Sequence, residues 1–263
     1  MKTASLIHDQ CFVHPDAKIG EGVEIGPFTS VAGDVVIGDG TWIGPNVSIL
    51  DGARIGKNCK IFPGAVISAE PQDLKFEGEI TTAEIGDSTI IRECCTINRG
   101  TRDRMTTRVG NNCLLMAYTH IAHDVLVGNN CIIANSANIA GHVVIEDFVV
   151  IEGVVAVQQF VRIGQHSFLA GGSLVRKNVP PFVKAAREPL SFVGVNTIGL
   201  RRRGFDTITI TEIEDLYRAI YVHNNNLSQA LKAAEVEFPA SAQKSAILDF
   251  IQASDKGIIR GPQ

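Results

Sequence analysis

Aromatic residues make up only 6% of the 263-residue chain, with one Trp and three Tyr. Bulky rings therefore cannot fill the interior, and the 45% hydrophobic content must pack as small aliphatic side chains in a regular way. Long apolar runs are missing too. The richest stretch, Val143 to Phe160, is broken by Glu146, Asp147 and Glu152, which excludes a membrane-spanning helix. The segment MKTASLIHDQ lacks the charged-then-apolar pattern of a leader, so a cytoplasmic location is expected. In that compartment six cysteines predict reduced thiols rather than a disulfide framework. A charged fraction of 20% with net charge -4 excludes a disordered chain.

What the chain has in abundance is rhythm. From Ile7 to Val175 every sixth residue is Ile, Val or Leu, except Asp73, Glu79 and Asp103. A small residue stands two places before each, as at Ala17, Thr29, Thr41, Ala53 and Ala65, and Gly often follows, as at Gly20, Gly26 and Gly38. Two inward side chains on a three-residue strand, then a tight turn, define a hexapeptide unit. Repeated this often, the unit predicts a parallel β-helix: three units per coil, coils stacked roughly 4.8 Å apart. Cys11, Cys59, Cys95, Cys113 and Cys131 occupy the small inward position and are expected to be buried packing residues; only Cys94 stands outside it. Trp42, between two inward residues, should point outward as a candidate subunit contact.

Two polar excursions, near 69–84 and 99–108, interrupt the rhythm without losing its register and make natural carriers of function. Pro180-Pro181 ends it. The expectation is a β-helical domain over 1–180 and an α-helical domain over 181–263, where Ile210, Ile213, Leu216, Tyr217 and Ile220 recur at helical spacing.

None of the seven histidines falls in an inward phase. His8, His14, His166 and His223 lack polar company and read as surface or turn residues. His120, His123 and His142 differ, because moving one coil along stacks His123 beside Gly141 and then Gln159, Asp124 beside His142 and then Phe160, and His120 beside Asn138. Imidazole near neutral pKa is a natural general base, and a free glycine N–H can hold an oxyanion. Acyl transfer uses both. A zinc site on His120, His123 and His142, as in hexapeptide carbonic anhydrases, is the rival, although no wider Cys/His spacing supports it. A non-catalytic scaffold is the third reading.

Charge is uneven. Residues 176–204 hold seven basic groups against one acidic, within an otherwise acidic chain, which implies an anionic partner. Without interleaved aromatics that partner is a phosphorylated ligand or an acidic protein rather than nucleic acid.

The segments QDLKFEGE, INRGT, HIAHD, AGHV, VQQF, GVN and RRRGF follow one another in the order found in the UDP-N-acetylglucosamine O-acyltransferase family, which opens lipid A synthesis, and the chain resembles that family over nearly its whole length. The resemblance implies a left-handed β-helix, no cofactor or metal, and transfer of a 3-hydroxyacyl chain from acyl carrier protein to the glucosamine 3-position of UDP-N-acetylglucosamine. It implies His123 as general base assisted by Asp124, and Gly141 N–H as oxyanion donor. Asp73 and Lys75 would contact the sugar nucleotide, with His120, His142 and Gln159 nearby. Asn196 and Arg202 would hold the nucleotide or diphosphate, and Gly171 would gauge acyl length. It also implies homotrimers with sites between subunits, so that QDLK would meet a neighbour's histidine patch. Asn98, Gln158 and Ile198 depart from residues common in the family: His at the first two, Glu at the third.

Overall fold

The computed structural model describes residues 6–223 and 226–261. Its unit is a two-residue strand followed by a turn, as at Lys18–Ile19, Glu24–Ile25 and Ser30–Val31. Successive strands enter three parallel sheets in turn, of 11, 9 and 8 strands, giving a left-handed parallel β-helix of triangular section. Its faces are called here the first, second and third sheets in chain order, and each corner takes the names of the sheets it joins.

The core is the row of sixth residues. From Ile25 to Val175 its aliphatic members are at most 3% exposed, each contributing roughly 1.5–3 kcal/mol by leaving water. Ile7, in the first described coil, stays 42% exposed. Cys59, Cys95, Cys113 and Cys131 are buried and Cys94 is exposed, as their phase requires, whereas Cys11, in the first coil, is only half-buried. Trp42 lies outward on the first sheet, edge-on to Phe62 at 5.2 Å.

Both excursions leave the prism at the same corner. The first runs from the strand Val66–Ala69 of the second sheet to Thr82–Ile85 of the third, the second from Thr96–Asn98 to Thr106–Val109. Their returning strands pair along their full length, Thr82 opposite Thr106 and Ile85 opposite Val109. The loops therefore lie side by side: Arg102 N–H donates to Glu79 Oε1 at 2.9 Å, and its guanidinium pairs with Glu77 at 2.9 Å.

Past Pro180-Pro181 the sheet goes on where helix was expected. Val183–Ala186 adds a parallel strand to the first sheet and Ser191–Val195 an antiparallel one, so helices begin only at Thr197. They are α1 (Thr197–Arg202), α2 (Thr207–Arg218), α3 (Leu227–Glu237) and α4 (Ala242–Gln252). Each starts at an Asn, Asp or Ser cap, as where Asp206 accepts from Thr209 N–H at 2.7 Å ahead of α2. The apolar face of α2, Ile210, Ile213, Leu216 and Tyr217, is buried, and Tyr217 hydroxyl donates to Pro181 C=O at 2.6 Å, tying the helices to the last coil.

Candidate active site

The turn after the strand His120–Ile121 presents His123 and Asp124 at the second-to-third corner, beneath both excursions. Asp124 takes a left-handed φ of 59°, an uncommon backbone for a residue with a side chain, and is wholly buried. Its carboxylate lies 2.8 Å from His123 Nδ1. Thr101 donates to it through N–H at 3.0 Å and hydroxyl at 2.7 Å. Burial alone would push this carboxyl up, but the hydrogen bonds from His123 and Thr101 outweigh it and hold the group below the usual carboxylate range. An ionised Asp124 fixes the proton of neutral His123 on Nδ1 and leaves Nε2 as the basic atom.

Nε2 faces Asp73 of the first excursion, whose Oδ2 is 4.0 Å away in the same chain. QDLK thus meets its own histidine patch, where a neighbour's was expected, because the excursion springs from the corner that carries His123. Beside Asp73 opens a cleft of about 570 Å³, lined also by Lys75, Glu79, Thr101, Asp103 and His142 among others.

One coil along, Gly141 lies buried against the His123 ring. A Cβ there would stand 2.6 Å from His123 Cε1 and 2.7 Å from Nε2, so only glycine leaves the imidazole in place. Among the described residues its N–H donates to no acceptor. His142 turns its ring edge to His123, with centroids 5.0 Å apart, and stacks flat on Phe160 at 4.5 Å. Its Nδ1 stands 3.0 Å from Asp103 Oδ2 but out of line for a hydrogen bond. His120 pairs across the sheet with Asn138, bonds Thr96 hydroxyl through Nδ1 at 2.7 Å, and has its pKa lowered by burial and by His123. Gln159 is exposed on the same corner.

The rival zinc triad is not what the chain gathers. Ligand-capable atoms of His123, Asp124 and His142 fall within 4.8 Å of one another, while His120 stands outside that group. Asp124 and His123 Nδ1 already bond each other, so these donors fit a positioned base better than a metal.

Three of the expected contacts lie elsewhere. Asn196, a buried cap of α1, spends its amide on Gly199 N–H and on His166 C=O at 2.9 Å, at the third-to-first corner. Arg202 is exposed in the last turn of α1. Gly171 is at the first-to-second corner, its N–H donating to Glu152 at 2.9 Å.

The chain matches the family model of UDP-N-acetylglucosamine O-acyltransferase domain 2 over residues 178–259, and the bacterial transferase hexapeptide model over 34–69 and 106–141. It is 46% identical to an acyl-[acyl-carrier-protein]--UDP-N-acetylglucosamine O-acyltransferase of Aliivibrio fischeri, covering 97% of this chain and 100% of that one. A Thiobacillus denitrificans protein of the same name is 41% identical over the same shares. The crystal structure of a UDP-N-acetylglucosamine acyltransferase from Bacteroides fragilis superposes with TM-score 0.96 at 50% identity, covering 97% of this chain and 100% of that one. The chain belongs to the UDP-N-acetylglucosamine O-acyltransferase family.

Within this O-acyltransferase, two of the three departures have distinct settings. Asn98 is buried in the strand Thr96–Asn98, its amide N–H donating to Glu70 C=O at 2.9 Å and its Oδ1 without a partner among the described residues. Ile198 is 65% exposed on α1. His166 corrects the surface reading: it is a turn residue, but a buried one, stacked between Phe148 and Phe182. The side chain of His223 lies outside the described residues. Thr96, Thr101, Asp103 and Arg104 escape coil arithmetic because the second excursion breaks the 18-residue stacking; the signal that finds them is that this excursion leaves the corner carrying His123.

Proposed function

We propose that this chain transfers a 3-hydroxyacyl group from acyl carrier protein to the glucosamine 3-hydroxyl of UDP-N-acetylglucosamine by direct attack, the first step of lipid A synthesis. The observation that carries the mechanism is the line Asp124, His123, Gly141: a carboxylate on Nδ1, Nε2 facing Asp73, and a glycine against the ring whose N–H has no acceptor among the described residues. His123 Nε2 takes the hydroxyl proton as the sugar oxygen bonds to the thioester carbon, and Gly141 N–H receives the developing oxyanion. Collapse breaks the carbon–sulfur bond, and the imidazolium returns its proton to the leaving thiolate. Asp73 and Lys75 orient the sugar nucleotide from the first excursion, with His120, His142 and Gln159 around it.

The working unit in this proposal is a homotrimer in the cytoplasm. Asn196 and Arg202 of one chain, on the third-to-first corner, then serve the nucleotide in a neighbour's cleft, and Gly171 gauges the acyl chain. Supporting this, the outer row Ile90, Leu114, Ile132, Val150 and Phe168 of the first sheet is apolar and half-buried, a face suited to another chain. Among the described residues no helix is long and apolar enough to cross a membrane.

The test is incubation with UDP-N-acetylglucosamine and a series of 3-hydroxyacyl carrier proteins, scored by product mass, beside sedimentation equilibrium. A monoacylated sugar nucleotide from a trimeric enzyme is expected; no product with any donor overturns the reading.

A further inference from the structure

The carboxylate of Asp124 is filled chiefly by the second excursion. Thr101 N–H and Arg104 N–H donate to Oδ1 at 3.0 and 3.2 Å, and Thr101 hydroxyl donates to Oδ2 at 2.7 Å. His123 Nδ1, at 2.8 Å from Oδ2, is the fourth partner. The same loop grips the backbone: Asp124 N–H donates to Thr107 hydroxyl at 2.8 Å, and the Arg104 guanidinium donates to Asp124 C=O at 2.9 Å. A carboxylate offers about four lone-pair sites, so this one is saturated and cannot rotate without losing bonds.

We infer that Thr101 is a positioning residue for the His123 base, holding Asp124 so that Oδ2 stays in line with Nδ1 and sharing that oxygen with the imidazole. The inference rests on the reading of His123 as general base. A loop contact that served only folding would need no shared oxygen. Because Thr101 hydroxyl and His123 draw on one atom, removing the hydroxyl makes Oδ2 a stronger acceptor, favours the imidazolium and displaces the titration of the base upward. The other groups facing the pair are Asp73 beyond Nε2, His142 with Nδ1 3.9 Å from Oδ2, Asp103 beside His142, His120 on the preceding strand, and Arg104 over the backbone. Of these groups only Asp103 touches the hydroxyl, its N–H donating to Thr101 Oγ at 3.3 Å, and Thr101→Ser keeps that acceptor.

The experiment is the pH profile of kcat/KM for the full-length enzyme, Thr101→Val, Thr101→Ser and His123→Ala, with melting temperatures. Thr101→Val should lose roughly ten- to a hundredfold in turnover through a misplaced base. Its acid limb should move up by roughly half a pH unit, and Thr101→Ser should restore both. Equal losses in the Val and Ser variants with an unmoved limb overturn the inference, whereas near-normal turnover in His123→Ala overturns the base reading beneath it. Should Thr101→Val not fold, Thr101→Cys, with its weaker donor, replaces it: the limb must move in the same direction, and an unmoved limb overturns the inference.

Discussion

At the third-to-first corner the turn N–H groups of Glu21, Lys57, Asp87, Asn111 and Asn129 each donate to an Asp or Asn side chain of the next coil, at 2.7–3.0 Å. At the second-to-third corner the equivalent N–H of Gly141 donates to no acceptor among the described residues, because the next coil offers Gln159 in place of Asp or Asn. The turns are otherwise alike, down to the left-handed residue that follows: φ is 57° at Asn130 and 63° at His142. The first corner closes these five donors within the chain and gains stability. The other leaves a donor open beside an imidazole, which is what an oxyanion site requires.

The sharpest break in that comparison is His123→Ala, which removes the base and leaves the corner's backbone intact. Turnover should fall about 10³-fold with sugar-nucleotide binding largely retained; near-normal turnover, read in a single-turnover acyl-transfer assay, removes the corner's claim to chemistry. Gln159→Asp should convert the open corner into the closed kind, since a carboxylate one coil along can accept from Gly141 N–H as Asp147 does from Asn129. Turnover should drop roughly 10²-fold while the melting temperature holds or rises. A drop in both would mean that Asp disturbs the turn rather than occupying the donor.

Two alanine substitutions sharpen the contrast. At Gly110 a Cβ would stand 2.5 Å from Gly128 O, so coil must part from coil, and a loss of about 1–3 kcal/mol in urea unfolding is expected with activity kept in the folded fraction. At Gly141 the obstacle is the His123 ring, a side chain that can turn away, so Gly141→Ala should keep most stability and lose roughly ten- to a hundredfold in turnover.

Whether a corner was legible in the sequence followed from its distance to an excursion. The β-helix, the buried cysteines and the stacking of His123 on Gly141 and Asp124 on His142 all follow from an unbroken period, as does the pairing of His120 with Asn138. Thr101 and Asp73 were beyond that arithmetic, because the extra residues cancel the fixed offset between coils and only the fold shows both loops leaving at one corner. The sheet extension at Val183–Ala186 and Ser191–Val195 was hidden for another reason: two longer strands replace hexapeptides, so neither the six-residue nor the helical period marks them. His166 failed on environment. Its turn phase was readable, but its burial comes from Phe182 and from Phe205, well outside the repeat.

That buried histidine gives the closed corner its own pH signature. Burial, reinforced by the nearby Arg203 guanidinium, pushes the His166 imidazole down to about 4, and its Nδ1 has no partner among the described residues to offset the loss of water. In the unfolded chain the same ring titrates near its ordinary value of about 6.5. Below that pH the unfolded state takes up a proton that the native state refuses. Stability is therefore complete above about pH 6.5, falls as pH drops toward about 4, and the linkage amounts to roughly 2–3 kcal/mol. His166→Phe keeps a ring between Phe148 and Phe182 while removing the titrating nitrogen. Urea unfolding of both proteins between pH 7 and 4 should show the variant gaining on the wild type as pH falls, with the two close at pH 7. Parallel curves would mean that the ring reaches water in solution, and that this corner is less closed than its hydrogen-bonded ladder implies.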